Sequence, residues 1–237
     1  MLNLSYDLHI HSCLSPCGDD DMTPSNIVGM SALKKLDVIA VTDHNSCKNC
    51  PAVIKLAKEY GITVLPGMEL TTMEEVHVLC FFADLAEALR FSDYVASMLM
   101  RIPNDEKIFG KQQICDEKDN IIGNEPYLLI NATNISFEDM GKLMEEYHGV
   151  HIPAHIEKSS NSVLSNLGFI SEDADFKAAE LADISKYAEL SKKHPYLQTC
   201  RIITDSDAHM LGKINEPVNF IIAKSRSRED ILKALTS

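Results

Sequence analysis

Leu4-Ser5-Tyr6-Asp7-Leu8-His9-Ile10 reads as a β-strand, and His9 and His11 close it. Residues separated by one share a face of a strand, so the two imidazoles point the same way. Further along, Thr23-Pro24 is a helix N-cap followed by proline at the first helical position, opening a helix to about Lys35. Asp37-Val-Ile-Ala-Val-Thr42 is an apolar, β-branched run of the kind that fills a buried strand. A helix over 51–60 stops at Gly61, and strands follow over 62–65 and 76–82. A helix is expected over 85–100, then a hairpin-like excursion over 103–134 that holds Gly110, Asp119-Asn120, Gly123 and Pro126. Ser136-Phe-Glu-Asp139 has a capping-box pattern and should open the next helix. Strands over 149–154, 176–181, 201–204 and 220–223 and a helix over 227–235 complete the chain.

Repeated strand–helix units point to an α/β barrel or a doubly wound sheet, forming a single domain over 1–237. The 237 residues carry 22 Lys+Arg against 35 Asp+Glu, a formal net charge of −13. With 45% hydrophobic and 24% charged residues the chain is globular in composition, not disordered. It has no apolar run of the ~18 residues a membrane span needs, and its N-terminus lacks the basic start and apolar stretch of a signal peptide. A cytoplasmic protein with its seven Cys as thiols is expected, with no membrane partner. The acidic charge disfavours a long electrostatic footprint on nucleic acid, and a chain without Trp offers no evident base-stacking series.

In α/β folds of this kind chemistry sits at the carboxyl ends of strands. His9 and His11 close the first strand, Asp43 and His44 the second, and Glu69 follows the third. His77 lies on the fourth, and His155, Asp207 and His209 end later ones. Six of the nine His are therefore at or near strand ends beside carboxylates, a donor set suited to divalent Zn, Mn or Fe. The ligands are too many for one tetrahedral ion, so two or three ions sharing bridging carboxylates are expected.

These motifs, Asp7-Leu-His-Ile-His11-Ser12, Thr42-Asp-His44, Gly67-Met-Glu69, Pro153-Ala-His155 and Ser206-Asp-Ala-His209, resemble in order those of the PHP (polymerase and histidinol phosphatase) domain family. The resemblance covers nearly the whole chain. It implies a distorted (β/α)7 barrel, with the excursion over 103–134 as a small insertion, and a trinuclear metal site. It also implies a metal-dependent phosphoesterase activity, in a family of histidinol-phosphate and nucleotide phosphatases and exonucleases. Carried over by position, His9 and His11 would bind one ion with Asp207, and Glu69 would bridge it to another held by His77 and His155. His44 and His209 would hold the third. Asp7, Asp43 and Asp205 resemble residues that orient such ligands. The family's further His or Asp, five or six residues after His11, is missing. Cys17 fits that spacing, with Asp19 and Asp21 as substitutes, and a thiolate there would favour zinc.

The expected reaction is hydrolysis of a small phosphorylated metabolite or nucleotide, in which a hydroxide bridging two ions attacks phosphorus in line. Glu69, Asp207, His209 and Asp43 are the catalytic candidates, and Lys158, three residues after His155, is a candidate for the substrate phosphate. His151 alternates with Pro153 and His155 and could reach the same pocket. Cys47-Lys-Asn-Cys50 with Cys13 and Cys17 could form a four-cysteine metal site, though ordinary loop thiols are the simpler reading. The alternatives are an exonuclease or cyclic-phosphate phosphodiesterase acting on short nucleic-acid ends, an amidohydrolase, and a non-catalytic metal-binding module. An amidohydrolase would typically place a lysine mid-barrel, where this chain has Glu69.

Overall fold

The computed structural model of the protein describes residues 1–171 and 174–237. β1 (Leu2–Ile10), α1 (Pro24–Leu33), β2 (Val38–Val41), α2 (Cys50–Tyr60) and β3 (Thr63–Thr71) come first, with the three strands parallel. The Thr23 hydroxyl accepts the Asn26 N–H to start α1, and Gly61, at φ 68°, ends α2 in the left-handed region. β4 (His77–Phe82) returns antiparallel to β3. After α3 (Leu85–Met98) the chain leaves the sheet through α4 (Glu106–Phe109) and the hairpin of β5 (Gln113–Cys115) and β6 (Ile121–Asn124), the expected excursion. α5 (Met140–Glu146) leads to β7 (Gly149–Pro153), antiparallel to β4. β8 (Ala178–Glu180), α6 (Tyr187–Lys193) and β9 (Arg201–Ile203) follow, β8 and β9 being parallel. β10 (Phe220–Ala223) pairs antiparallel with β1, and α7 (Arg228–Leu235) ends the chain.

The main sheet has the order β10-β1-β2-β3-β4-β7 and curls into a half-barrel. The curl continues beyond β7, where the Ile156 N–H reaches the Glu180 carbonyl at the end of β8. It turns back to β1 where Ala208 exchanges backbone bonds with His9 and His11. One core fills the inside: Leu4, Leu8, Leu65, Phe81 and Ile152 meet Ile231, Leu232 and Leu235 of α7, which plugs one end. The other core packs α1, α2 and α3 on the outer face, through residues such as Ile27, Val53 and Phe91 against Ile39, Met68 and Val78. Among the described residues no helix is long and apolar enough to cross a membrane.

Three local features depart from the sequence reading. β3 does not stop near Leu65 but runs through Pro66-Gly67 to Thr71, so Glu69 lies within the strand instead of after it. Gly67 makes this run possible, since a Cβ there would meet the Cys80 carbonyl oxygen at 2.7 Å. Ser136 and Asp139 do bond reciprocally, but they hold a turn, and α5 begins only at Met140. His77 is the first residue of β4, not near its carboxyl end; because β4 is antiparallel, that end faces the same rim.

β1 holds a fourth feature that no residue type announces. Its register against β2 shifts by one residue between Asp7 and Ile10, so Leu8 belongs to the inner core and Ile10 to the outer one. Residues two apart in a regular strand cannot do this. The irregularity re-aims the strand end and swings His9 and His11 to the inside.

Ile231 of α7 is fully buried in the inner core. Ile231→Ala should cost about 2–5 kcal/mol of unfolding free energy, whereas exposed Val218→Ala should stay within about 0.5 kcal/mol. Urea denaturation of the two variants measures the difference.

Candidate metal centre

At the open rim of the half-barrel one carboxylate, Glu69, is 1% exposed and surrounded by imidazoles. Its oxygens lie 2.8 Å from His77 Nδ1, 3.1 Å from His155 Nε2, 3.2 Å from His44 Nδ1 and 3.3 Å from both His9 and His11 Nε2. The strand pairing fixes these positions. A parallel bridge joins His44 to Glu69, Thr71 pairs with His77, and β7 delivers His155 to the same rim. Asp207 Oδ1 stands 3.4 Å from both His9 and His11 Nε2, and the His209 ring stacks on His11 at 4.3 Å between centroids. His155 and Asp207 both hold left-handed backbone angles, φ 30° and 49°, a strained conformation that clusters at functional sites.

Three sets of ligand atoms converge closely enough to hold an ion: His9, His11 and Glu69; His44, Glu69 and His77; and His11, Cys17, His44 and His209. Cys17, and neither Asp19 nor Asp21, therefore joins the outer set; Asp19 Oδ1 instead accepts the Asp21 N–H within its own turn. The donor set fits divalent cations. Buried ring nitrogens of His44, His77 and His155 have no hydrogen-bond partner, and His9 and His11 turn their Nε2 atoms toward each other at 3.2 Å. Such a buried His/Glu cluster is compatible with a polynuclear metal site.

Charge compensation polarises the groups strongly. Burial disfavours the charged form of Glu69, but His77, His9 and His44 outweigh it and hold the carboxyl well below its usual range. Burial also opposes the charge on His9, and Glu180, Glu69 and Asp207 override it, keeping His9 well above its ordinary value. His11 is likewise buried yet raised to about 9 by Asp207 and Glu69. His44 goes the other way, driven well below by burial despite Glu69. Burial pushes the Cys17 thiol up to about 12, helped by the negative charge of Glu69.

A ring of buried groups orients the cluster. Asp43 bonds the hydroxyls of the loop after β1. It accepts from the Ser12 N–H and hydroxyl and from the Ser15 hydroxyl, and Ser15 Oγ lies 2.9 Å from His11 Nδ1. Asn49 ties Ser12 to the excursion, donating to Ser12 Oγ and the Gln113 carbonyl and accepting the Cys115 N–H. Asp7 receives the Ser206 and Asn215 N–H groups, and Asp205 the Leu8 N–H. Sequence reasoning missed Glu180. It stands 3.0 Å from His9 Nδ1 and accepts the His155 N–H, and its signal was a lone acid ending an otherwise apolar strand.

The cavity over the cluster has a volume of about 210 Å³. Lys158 lines it, ion-paired to Asp207, together with Ser160, Asn161 and Ile130 of the excursion. His151 does not reach it; its side chain turns outward to Asp175 at 3.1 Å. The four cysteines form no common site. Cys47 and Cys50 both donate to the Gly67 carbonyl, Cys13 lies 3.7 Å from Cys115, and Cys17 belongs to the histidine cluster.

A family model described as PHP domain matches residues 7–208. YqxK of Bacillus subtilis is 28% identical over 274 aligned positions, covering 99% of this chain and 62% of its own. The 5'-3' exoribonuclease Rnm of Salmonella typhimurium is 29% identical over 102 residues, 40% of this chain and 33% of that one. The lesion-specific endonuclease PfuEndoQ from Pyrococcus furiosus shares the fold, with a TM-score of 0.72 at 20% identity over 99% of this chain and 56% of that one. This chain thus spans less than two thirds of the length of each of these three proteins.

The shifted histidines make the metal-free protein pH-sensitive. His9 and His11 are raised, so the stability they add is complete below their ordinary 6.5 and is lost as pH rises above it, for His11 through about 9 and for His9 through a value well above 6.5. His44 and His209 are lowered, so their contribution is complete by 6.5 and adds no slope above it. Chelator-treated protein should therefore lose stability steadily across that window, read as a falling urea midpoint. A rising midpoint would contradict the charge assignment.

Proposed function

The chain belongs to the PHP domain family, and on that premise we propose that it hydrolyses a phosphate ester at a polynuclear metal site. The reading rests on one observation, the convergence of five imidazoles on the buried Glu69 carboxylate. We assign His9, His11 and Glu69 to one ion, His44, Glu69 and His77 to a second, and His11, Cys17, His44 and His209 to a third. His155 and Asp207 border the first two. Divalent ions in such a site clamp a phosphoryl group and supply hydroxide near neutral pH.

The protein's own residues prepare the ground. Glu180 and Ser15 lock the rings of His9 and His11 through their Nδ1 atoms, leaving both Nε2 atoms turned toward the centre. Asp43 acts through Ser15 and is a positioning residue, not the catalytic group its place beside His44 suggests. Lys158 is the ammonium beside the cluster, and it meets the charge of the substrate phosphate. The substrate is a phosphate ester of nucleotide size, with Ile130 as an apolar wall for its organic part.

Chelation should abolish hydrolysis of both p-nitrophenyl phosphate and bis-p-nitrophenyl phosphate, and adding back Zn, Mn or Fe should restore it. Full activity in verified metal-free protein would refute the reading. Glu180→Ala, which leaves His9 Nδ1 without its partner, should weaken metal binding about 10–100-fold by calorimetry.

A further inference from the structure

We infer that the protein binds a small phosphate ester at a second site, a basic cavity at the end of the half-barrel opposite the metal centre. Two arginines and a lysine take the phosphate there, and an apolar wall takes the organic part. The site stands apart from the histidine cluster and owes nothing to its chemistry.

The strands fix the separation. β3 begins in this cavity with Thr63 and Val64 and carries Glu69 near its other end, about 17 Å along an extended chain. β4 runs the opposite way, from His77 at the cluster to Phe82, and Ala83 just beyond it lines the cavity. The last turns of α2 and the first turn of α7 close the remaining sides. The volume is about 320 Å³, within the range of small-molecule sites.

On a chain of net charge −13 this cavity runs the other way: Lys58, Arg226 and Arg228 line it against one acid, Glu229. Both guanidiniums are held in place. Arg226 donates to Asp37 Oδ1 at 2.6 Å and to the Gly61 carbonyl at 3.2 Å. Arg228 donates from Nε to the Val64 carbonyl at 2.8 Å and from Nη1 to the Ala83 carbonyl at 3.2 Å. Carbonyls orient Arg228 without neutralising it, and among the described residues neither it nor the Lys58 ammonium pairs with a carboxylate. Two uncompensated cations beside a third call for an anion, and fixed guanidinium forks suit the several oxygens of a phosphate. The backbone N–H groups of Arg228 and Glu229, at the start of α7, add donors with no acceptor among the described residues. Ile54, Ile62, Val64 and Ala83 supply the apolar wall, which inorganic phosphate would leave unused.

Phenylphosphonate is the probe, because its C–P bond survives a phosphoesterase. Calorimetry on the metal-loaded protein should show it binding at a site that chelator leaves intact. Lys58→Glu should weaken that binding about tenfold or more, and Lys58→Arg should retain it. Inorganic phosphate, which lacks the ring, should bind there more weakly than phenylphosphonate. Lys58 is exposed and its ammonium has no partner, so Lys58→Glu should keep wild-type thermal unfolding and metal content, which separates a lost site from a damaged fold. The inference falls if Lys58→Glu binds the probe as wild type does, if wild type does not bind it, or if chelator removes all binding from protein that stays folded. Equal affinity for inorganic phosphate and phenylphosphonate would overturn the ester assignment.

Discussion

A carboxylate shut away from water must find compensating charge, and Glu69 finds it in five imidazoles within 3.3 Å. Left alone at that depth it would cost several kcal/mol. The fold satisfies the demand by bringing the ends of five strands, β1, β2, β3, β4 and β7, to one point. β1 must shift register to turn His9 and His11 inward, β3 must pass Gly67 against Cys80 to bring Glu69 to the rim, β4 must run backward to present His77, and β7 must run forward again to present His155. The antiparallel pairings that interrupt the regular strand–helix alternation are thus the means by which the rim is populated from both directions.

That cluster is itself held by a shell of buried acids and hydroxyls. Each sits on a different element: Asp43 after β2, Glu180 in β8, Ser15 in the loop after β1. The excursion belongs to this shell and is no mere appendage. Asn49 joins it to Ser12, Asn45 Nδ2 donates to the Leu129 and Asn131 carbonyls while its Oδ1 takes the Thr71 N–H, and Asp119 caps the start of α1. The segment carrying Ile130 is thereby tied to the residue next to His44, which joins the wall of the cavity to the histidine cluster at its floor.

The sequence made most of this legible because strand-end chemistry leaves a periodic trace. His9 and His11 are spaced by one, as are Asp207 and His209, and short apolar runs precede them; this suffices to find both strand ends and ligand types. It does not reveal where a strand admits an extra residue, so the β1 irregularity beside His9 was invisible, although the spacing of His9 and His11 did indicate that both aim the same way. Nor does it reveal strand direction: His77 reaches the rim from the first residue of β4 because β4 is antiparallel. Which of Cys17, Asp19 and Asp21 approaches the histidines depends on loop geometry, in which Asp19 bonds its own turn and Cys17 Sγ lies among the ligand atoms of His11, His44 and His209. Glu180 escaped because a single acid in an apolar strand has no partner spaced one residue away, and its importance arises only through a ring nitrogen 171 positions distant in sequence. His151 failed for the opposite reason: correct spacing on β7 placed it on the outer face, beside Asp175.

The charge balance of the cavity bears on what it can bind. Glu69, Asp207 and Glu180 lie within or beside it, and Lys158, already paired with Asp207, is the ammonium facing them. A phosphate ester approaching this surface meets repulsion from three carboxylates, on a chain whose net charge is −13. One lysine cannot reverse that field, and the neutral imidazoles required of ligands bring no charge of their own. Binding of an anion therefore presupposes cations held among those side chains, which is what the unpartnered ring nitrogens of His44, His77 and His155 are placed to do.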